Sequence, residues 1–383
     1  MTSPPSTTPA PPATGQVDVR SISAAEHLAH LQGLGSASFL QTPAWAKVKA
    51  EWRPEFLGFH SGGDLVGVGL VLHRRLPRLK RSLAYLPEGP VLDWTRNDVA
   101  DQLTAMSDHL RAGGAFAVRM GPPVITRRWG AATLKAAIAD ETLNRLRDVP
   151  ADAEESTGLR VERLLRDAGW IHQVGEGGFT AGQPQYNFQL PLNGGEEDVL
   201  KGMNQQWRRN IKKAAKEGVE VSLGGREDLA AFHDIYVETA ARDSFTPRPR
   251  AYFETMFDAL NAEDPDRLRL YLAHHDGDLV AATTMVRVGT HAWYSYGAST
   301  TAKRDVRGSN AIQWQMIRDA LAAGATVYDL RGITDTLSGD DPHLGLIQFK
   351  VGTGGEAVEY VGEWDMPLSR VLYKAFDLYM KRR

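Results

Sequence analysis

Lys201, Arg208, Arg209, Lys212, Lys213 and Lys216 crowd into one stretch, Asp198-Val-Leu-Lys-Gly-Met-Asn-Gln-Gln-Trp-Arg-Arg-Asn-Ile-Lys-Lys-Ala-Ala-Lys-Glu217, where only Asp198 and Glu217 offset their charge. Val199, Met203, Trp207, Ile211 and Ala214 or Ala215 recur there at helical spacing, which predicts a helix over 198–217 with one apolar face and cations on the others. Long basic side chains at that spacing suit a phosphate backbone, which presents negative charge at regular intervals. A solvated amphipathic helix is the ordinary alternative. In a chain of formal charge −3, the local excess favours a polyanion.

Four further segments carry groups that could do chemistry. Arg74-Arg-Leu-Pro-Arg-Leu-Lys-Arg81 puts five basic residues in eight between strand-like segments. It reads as an exposed loop, either solubilising or facing anionic lipid headgroups or another phosphate. In Phe245-Thr-Pro-Arg-Pro-Arg-Ala-Tyr-Phe253, two prolines stiffen the approach to a helix and pin Arg248 and Arg250. A guanidinium so held can clamp phosphate or carboxylate, and a plain turn into the helix is the alternative. Ala292-Trp-Tyr-Ser-Tyr-Gly-Ala-Ser299 reads as a strand; in regular pleat Trp293 and Tyr294 face opposite sides, with Tyr296 on the side of Tyr294. In Leu346-Ile-Gln-Phe-Lys-Val-Gly-Thr-Gly-Gly355, Lys350 stands between apolar residues and a glycine-rich turn, either snorkelling to the surface or held as a cation in a cleft.

Missing motifs narrow the chemistry. The sequence has no G-x-x-x-x-G-K-[ST] loop, no H-E-x-x-H helix and no G-x-S-x-G elbow, and Gly62, Gly63, Gly67 and Gly69 belong to a hairpin rather than a dinucleotide fingerprint. There are 0 cysteines, so disulfides, thiolate nucleophiles, Cys-ligated zinc and iron–sulfur clusters are excluded. No cofactor and no metal are expected. A hydrolase or nucleotide-driven ligase is disfavoured; a transferase that positions two reactive partners fits better.

The elements that must position these groups alternate between strand and helix over 383 residues, enough chain for two or three domains. The Pro-rich segment 1–15 reads as a disordered tail without the features of a secretory signal. Strands are expected at Val17–Ile22, Phe56–His60, Leu65–His73, Leu83–Tyr85, Ala115–Met120 and Tyr186–Leu190, and helices at Ala24–Gln32, after Thr42-Pro43, and over Asn97–Ala112, Arg127–Arg147, Leu159–Ala168 and Ser369–Lys381. Gly175–Pro184 is expected to be a loop. An internal echo organises them. Gly63-Asp-Leu-Val-Gly-Val-Gly-Leu-Val71 resembles Gly277-Asp-Leu-Val-Ala-Ala-Thr-Thr-Met285, and each is followed in turn by an aromatic strand, a helix and a short strand. Two copies of one α/β unit follow, with a cleft between them as the default site. The expected division is 16–175 for the first unit and 176–360 for the second, with 361–383 packing back onto the first.

At these same segments the sequence resembles the FemABX family of non-ribosomal peptidyltransferases, which use aminoacyl-tRNA to build peptidoglycan cross-bridges. The resemblance is carried by Phe39-Leu-Gln-Thr-Pro-Ala-Trp-Ala-Lys-Val-Lys49, Tyr85-Leu-Pro-Glu-Gly-Pro90, Trp207–Lys216 with Gly218-Val-Glu-Val221, Arg248-Pro-Arg-Ala-Tyr252, Trp293-Tyr-Ser-Tyr-Gly-Ala-Ser299, Tyr328-Asp-Leu-Arg-Gly-Ile333 and Phe349-Lys350, in family order. It implies an α/β (α+β) fold of two tandem acetyltransferase-like (GNAT-like) subdomains. It also implies a muropeptide acceptor, lipid II or UDP-MurNAc-pentapeptide, whose diphosphate would be held by Lys49 and Arg248 with help from Tyr252 and Tyr296. Lys350, preceded by Phe349, would lie at the reaction centre. Arg208, Arg209, Lys212 and Lys213 are the candidates for the tRNA backbone.

In that chemistry an amine attacks an activated ester, so it needs a neutral amine, positive charge near the oxyanion and a proton for the departing hydroxyl. One departure bears on it. Some family members carry an Asp after the strand matching Ala115–Met120, whereas Gly121 and Pro122 stand here, which leaves the identity of any base open. Nor does 217–280 contain heptads enough for the family's coiled-coil arm. An acyl-CoA N-acyltransferase is the rival enzyme, with Arg304-Asp-Val-Arg-Gly-Ser-Asn310 as a partial pyrophosphate loop. A non-catalytic tRNA- or membrane-binding module is the other alternative. No run of apolar residues is long enough to span a membrane, so a cytoplasmic location is expected, with any membrane contact peripheral.

Overall fold

The computed structural model describes residues 17–76, 79–173, 182–341 and 343–380. The segment 1–15, most of the loop expected over Gly175–Pro184, and Arg78 of the basic turn lie outside the described residues.

The chain opens with β1 (Val17–Ser21), α1 (Ala24–Gln32) and α2 (Pro43–Val48). Ser23 starts α1 through a reciprocal capping box with Glu26, and Pro43 occupies the first turn of α2. The hairpin of β2 (Arg53–Ser61) and β3 (Asp64–Arg75) leads to β4 (Ser82–Leu86), β5 (Val91–Leu92), α3 (Val99–Ala112) and β6 (Ala115–Met120). A middle segment holds β7 (Ile125–Gly130), α4 (Ala131–Ala139), β8 (Ala153–Glu154), α5 (Ser156–Asp167) and β9 (Ile171–Gln173). The next segment holds β10 (Tyr186–Pro191), α6 (Glu196–Gly202), α7 (Gln205–Lys216), β11 (Glu220–Gly224), α8 (Leu229–Asp243) and α9 (Arg250–Glu263). It is followed by β12 (Leu268–His275), β13 (Asp278–Val288), β14 (His291–Ser299), α10 (Gly308–Ala322) and β15 (Val327–Ile333). The chain finishes with α11 (Leu344–Val351), β16 (Glu356–Tyr360), β17 (Glu363–Pro367) and α12 (Arg370–Met380).

The echo in sequence is an echo in topology. In the first unit β2, β3 and β4 pair antiparallel, α3 crosses over, and β6 returns parallel to β4. In the second, β12, β13 and β14 pair antiparallel, α10 crosses over, and β15 returns parallel to β14. A parallel neighbour requires such a crossover, so the helix in each copy is a topological necessity.

The two sheets exchange strands. The first runs β1-β2-β3-β4-β6-β17-β9, with β5 on β3; the second runs β11-β12-β13-β14-β15-β10-β16-β7-β8. The helix expected over Arg127–Arg147 is therefore a strand as far as Gly130, and helix only over Ala131–Ala139. Tertiary pairing overrides the local pattern here: Trp129 enters the second core, while Arg127 and Arg128 pair with Glu359 and Glu356 across the β7–β16 ladder. The return strand β17 belongs to the first sheet, and α12 packs on the same unit through Tyr373 and Phe376 against Leu83 and Phe116.

The single helix expected over 198–217 is two. Met203 is extended between α6 and α7, and Asn204 caps α7 by accepting from the Trp207 amide at 2.8 Å. Each unit has its own apolar core, and a third cluster joins them. In it Phe39, Trp45 and Leu70 of the first unit pack with Met256, Leu260, Val286 and Trp293 of the second. That shared cluster makes the seam a rigid place to mount side chains.

Candidate active site at the seam

Lys49 follows α2, and the shared core carries it against α9. Its ammonium lies 5.3 Å from the Tyr252 ring centroid and 5.7 Å from that of Trp45. Arg248, just before α9, places its guanidinium 4.9 Å from the same Tyr252 ring. The Tyr252 and Tyr296 hydroxyls are 3.2 Å apart. The four residues matched to acceptor binding thus converge on one spot. Burial, and then the Arg248 charge, hold the Lys49 pKa below its ordinary value, so an anion between the two cations would relieve both costs. Arg250, two residues on at the start of α9, points elsewhere and pairs with Glu254 at 3.2 Å.

Tyr296 arrives by an irregularity. Met285 faces Tyr294 and the adjacent Thr284 faces Tyr296, so Ser295 is an extra residue bulged out of β14. Tyr296 therefore does not share the side of Tyr294, as regular alternation predicts. It joins Trp293 in the seam cluster, while Tyr294 packs into the second core. The bulge turns Tyr296 toward Tyr252.

Lys350 lies on α11 and is 3% exposed. Its Nζ donates to the carbonyls of Gly332 at 2.7 Å and Arg331 at 3.2 Å. Those carbonyls are presented by a second bulge: Asn187 and Gln189 of β10 face Gly332 and Asp329 of β15, leaving Arg331 in the left-handed region at φ 64°. Burial, opposed in part by the charge of Asp329, brings the Lys350 pKa down to about 7. Phe349 is fixed from the basic helix, because the Trp207 indole donates to its carbonyl at 2.8 Å and the two rings lie 4.7 Å apart.

From Lys350 a polar network crosses the seam. Arg331 pairs with Glu88 at 2.8 Å and donates to Gln183 Oε1 at 3.4 Å; Gln183 donates to the Tyr85 hydroxyl at 3.3 Å; Tyr85 donates to Glu363 Oε1 at 3.0 Å. On its apolar side Arg331 lies 5.8 Å from the Phe39 ring, which packs on Trp45 beside Lys49. Glu88, Gln189 and Tyr360 also line a cavity of about 510 Å³ with Ser38, His291 and Trp293.

Glu363 is the residue that sequence reasoning missed. Its side chain packs on Gly121, where an added Cβ would stand 2.9 Å from Glu363 Cγ. Burial, offset in part by Arg119, pushes its pKa up to about 7, and its Oε2 is buried with no hydrogen-bond partner among the described residues. The signal was two carboxylates, Glu363 and Asp365, flanking Trp364 in a short apolar-bounded segment. Only the pairing of β17 into the first sheet brings one of them to Gly121.

The cations of the basic helix divide. Arg208 turns back to the carbonyls of Lys201 and Met203, and Lys213 lies 3.9 Å from Asp305, whereas Arg209 and Lys212 are exposed. Among the described residues no cluster suited to a metal ion occurs, and no helix is long and apolar enough to cross a membrane.

Two tandem acetyltransferase-like units, with paired cations and a buried lysine at their seam, define the class as one built for acyl-group transfer between two bound reactants. The family model described as the FemAB family matches residues 22–278 and 269–381, and the chain belongs to that family. It is 22% identical over 421 residues to the lipid II:glycine glycyltransferase of Staphylococcus aureus (strain MRSA252), spanning 92% of this chain and 93% of that protein. The protein of the same name from Staphylococcus epidermidis (strain ATCC 12228) is also 22% identical, over 91% and 92% of the two chains. In fold the chain is similar to the crystal structure of FemX, with a TM-score of 0.77 at 22% identity over 94% of this chain and 99% of that one. A tandem GNAT protein from the clavulanic acid biosynthesis pathway superposes with a TM-score of 0.51 at 11% identity, covering 92% and 99%.

Proposed function

We propose that the protein transfers an amino acid from aminoacyl-tRNA to the stem-peptide amine of a peptidoglycan precursor, lipid II or UDP-MurNAc-pentapeptide, in cross-bridge synthesis. The observation that carries this reading is the convergence of Lys49 and Arg248 on Tyr252, which suits a diphosphate. The family and the names of its glycyltransferase relatives support it.

The acceptor diphosphate binds between Lys49 and Arg248, with the Tyr252 and Tyr296 hydroxyls completing its hydrogen bonds. Glu363, whose carboxyl burial raises to a pKa of about 7, takes a proton from the acceptor ammonium. The freed nitrogen lone pair attacks the ester carbonyl carbon, and the carbonyl electrons move onto oxygen. Lys350 spends two of its three N–H donors on backbone carbonyls and keeps the third for that oxyanion. When the carbonyl re-forms, the C–O bond to the ribose breaks, and the oxygen leaves with the bonding pair and takes the proton that the attacking nitrogen sheds; Glu363 returns its proton to solvent, and an ester is exchanged for an amide. Arg209 and Lys212 meet the tRNA backbone.

Purified protein incubated with lipid II or UDP-MurNAc-pentapeptide, and either charged tRNA or acetyl-CoA, tests the reading. Extension of the acceptor by one amino acid from charged tRNA is the expected result. Product formed from acetyl-CoA instead would replace it with an acyl-CoA transferase.

A further inference from the structure

We propose that the groove between the β3–β4 turn and α12 docks the protein on the surface of an anionic phospholipid bilayer. The inference stands on the surface itself, independently of the reaction proposed above. Helix α12 is apolar on two faces but buries one of them. Tyr373 and Phe376 pack inward, while Val371 is 79% exposed and Leu378 and Tyr379 are each 53% exposed.

Tyr379 lines the groove with Leu79, 49% exposed, and Met380, 41% exposed, and Val371 and Leu378 stand seven positions apart on the adjoining face of α12. The described residues include eleven large apolar side chains that are exposed; three of them line this groove and two more stand on the same short helix. Exposed apolar area so concentrated marks a contact surface rather than ordinary scatter. The groove itself, of about 480 Å³, is walled by Leu76 and Leu83 on one side and Leu372 and Phe376 on the other.

The charge around it selects the occupant. Arg74 and Arg75 line the groove, Lys80 and Arg81 are exposed on the same turn, and Arg370 and Lys374 are exposed on α12. Asp377 is the acidic residue of that helix. Apolar side chains ringed by cations match the boundary between an anionic headgroup layer and acyl chains, where the former sink in and the latter meet phosphate. An apolar protein partner would leave this ring of cations uncompensated.

Position supports the same occupant. Arg74 and Arg75 also line the neighbouring cavity with Glu51 and Trp52, and the Trp52 amide donates to the carbonyl of Lys49 at 2.9 Å. The docking groove thereby adjoins a second cavity beside the segment that carries Lys49 of the anion clamp.

Cosedimentation with vesicles tests this, using mixed phosphatidylglycerol and phosphatidylcholine against phosphatidylcholine alone. The wild-type chain should bind the anionic vesicles, and the double variant V371D/L378D should lose about tenfold or more in affinity. Lys374→Glu should weaken binding in a salt-sensitive way. Both apolar side chains are exposed, so the double variant should keep its thermal midpoint and its turnover of a water-soluble UDP-linked acceptor. Wild-type protein that ignores anionic vesicles, or binds neutral ones equally, overturns the proposal. So does a double variant that binds as well as the wild type. Concentration-dependent self-association abolished by the same substitutions, without vesicle binding, would assign the patch to a second copy of the chain instead. Loss of all transfer activity in both proteins would count against the proposed reaction and leave the vesicle result standing.

Discussion

Tyr85 and Glu363 are 278 positions apart in sequence, yet the Tyr85 hydroxyl donates to Glu363 Oε1 at 3.0 Å, while Oε2 is buried without a partner among the described residues. Burial favours the neutral form of this carboxyl, with a pKa of about 7 against an ordinary 4.5, although the Arg119 charge and the Tyr85 hydrogen bond pull the other way. The folded state therefore binds more protons than the unfolded chain between those values, and the stability this contributes is present at low pH and lost as pH rises from about 4.5 to 7. One pKa unit is about 1.4 kcal/mol, so the loss approaches about 3 kcal/mol. Glu363→Gln should escape it, gaining stability over the wild type as pH rises through that window in denaturant titrations. The same variant should lose the acidic limb of the pH profile of kcat/KM and fall about 100-fold or more in kcat.

Lys350 shifts the other way, from 10.5 to about 7. Here the unfolded chain binds the extra proton between pH 7 and 10.5, so the penalty for burying the ammonium is full below 7 and disappears as pH rises toward 10.5. Lys350→Met should flatten that rise in stability. Its transfer rate should drop by about 100- to 1,000-fold, as expected for removing an oxyanion donor. In the wild type both limbs of the pH profile should fall near 7 and belong to the two groups jointly. Near-normal turnover by folded Lys350→Met would remove the assigned role.

Lys49→Ala and Arg248→Ala should each raise the KM for the acceptor about 10- to 100-fold, the worth of one charge-assisted contact to phosphate. The KM for charged tRNA should stay put. Tyr252→Phe keeps the ring on which both cations lie and removes only the hydroxyl paired with Tyr296, so its effect should be several-fold smaller. Initial rates with each substrate varied in turn separate these outcomes.

Trp207 ties the basic helix to the segment bearing Lys350. Trp207→Ala should cost about 3–5 kcal/mol, since a buried indole leaves a cavity. Trp207→Phe should retain most of the stability yet lower kcat, because the Phe349 carbonyl loses its donor and α11 its anchor. Equal kcat for Trp207→Phe and wild type would make the indole purely a packing group.

Arg209 and Lys212 are exposed, whereas Arg208 is committed to backbone carbonyls. Removing either exposed cation should lower the slope of log affinity for tRNA against log salt by about 0.7–0.9. Arg208→Ala should lower thermal stability and leave that slope nearly unchanged. Filter binding across a salt series distinguishes the two classes.

Much of this was legible in the chain. The Gly-Asp hairpin openings at Gly63 and Gly277, with the strands and helices after them, announce a repeated unit, because turn chemistry and apolar periodicity are local. Lys49, Arg248 and Tyr252 could be singled out by resemblance, and the structure brings them together. The break in the basic helix was marked by Gly202 and Asn204, a poor helix former and a good cap, although apolar spacing runs straight through both.

What the tertiary structure alone decided is which distant groups meet. Residue alternation places Tyr296 with Tyr294, but the bulge at Ser295 depends on the register of β13, and it turns the hydroxyl to Tyr252 instead. Glu363 reads as one acidic residue in a terminal segment until β17 pairs with β6 and removes it from water. Sequence by itself determined the types of group and the elements that carry them, since propensity and periodicity act over a few residues. Burial, and with it the shifted pKa values of Lys350 and Glu363, is a property of neighbours recruited from across the chain, so only the folded molecule could supply it.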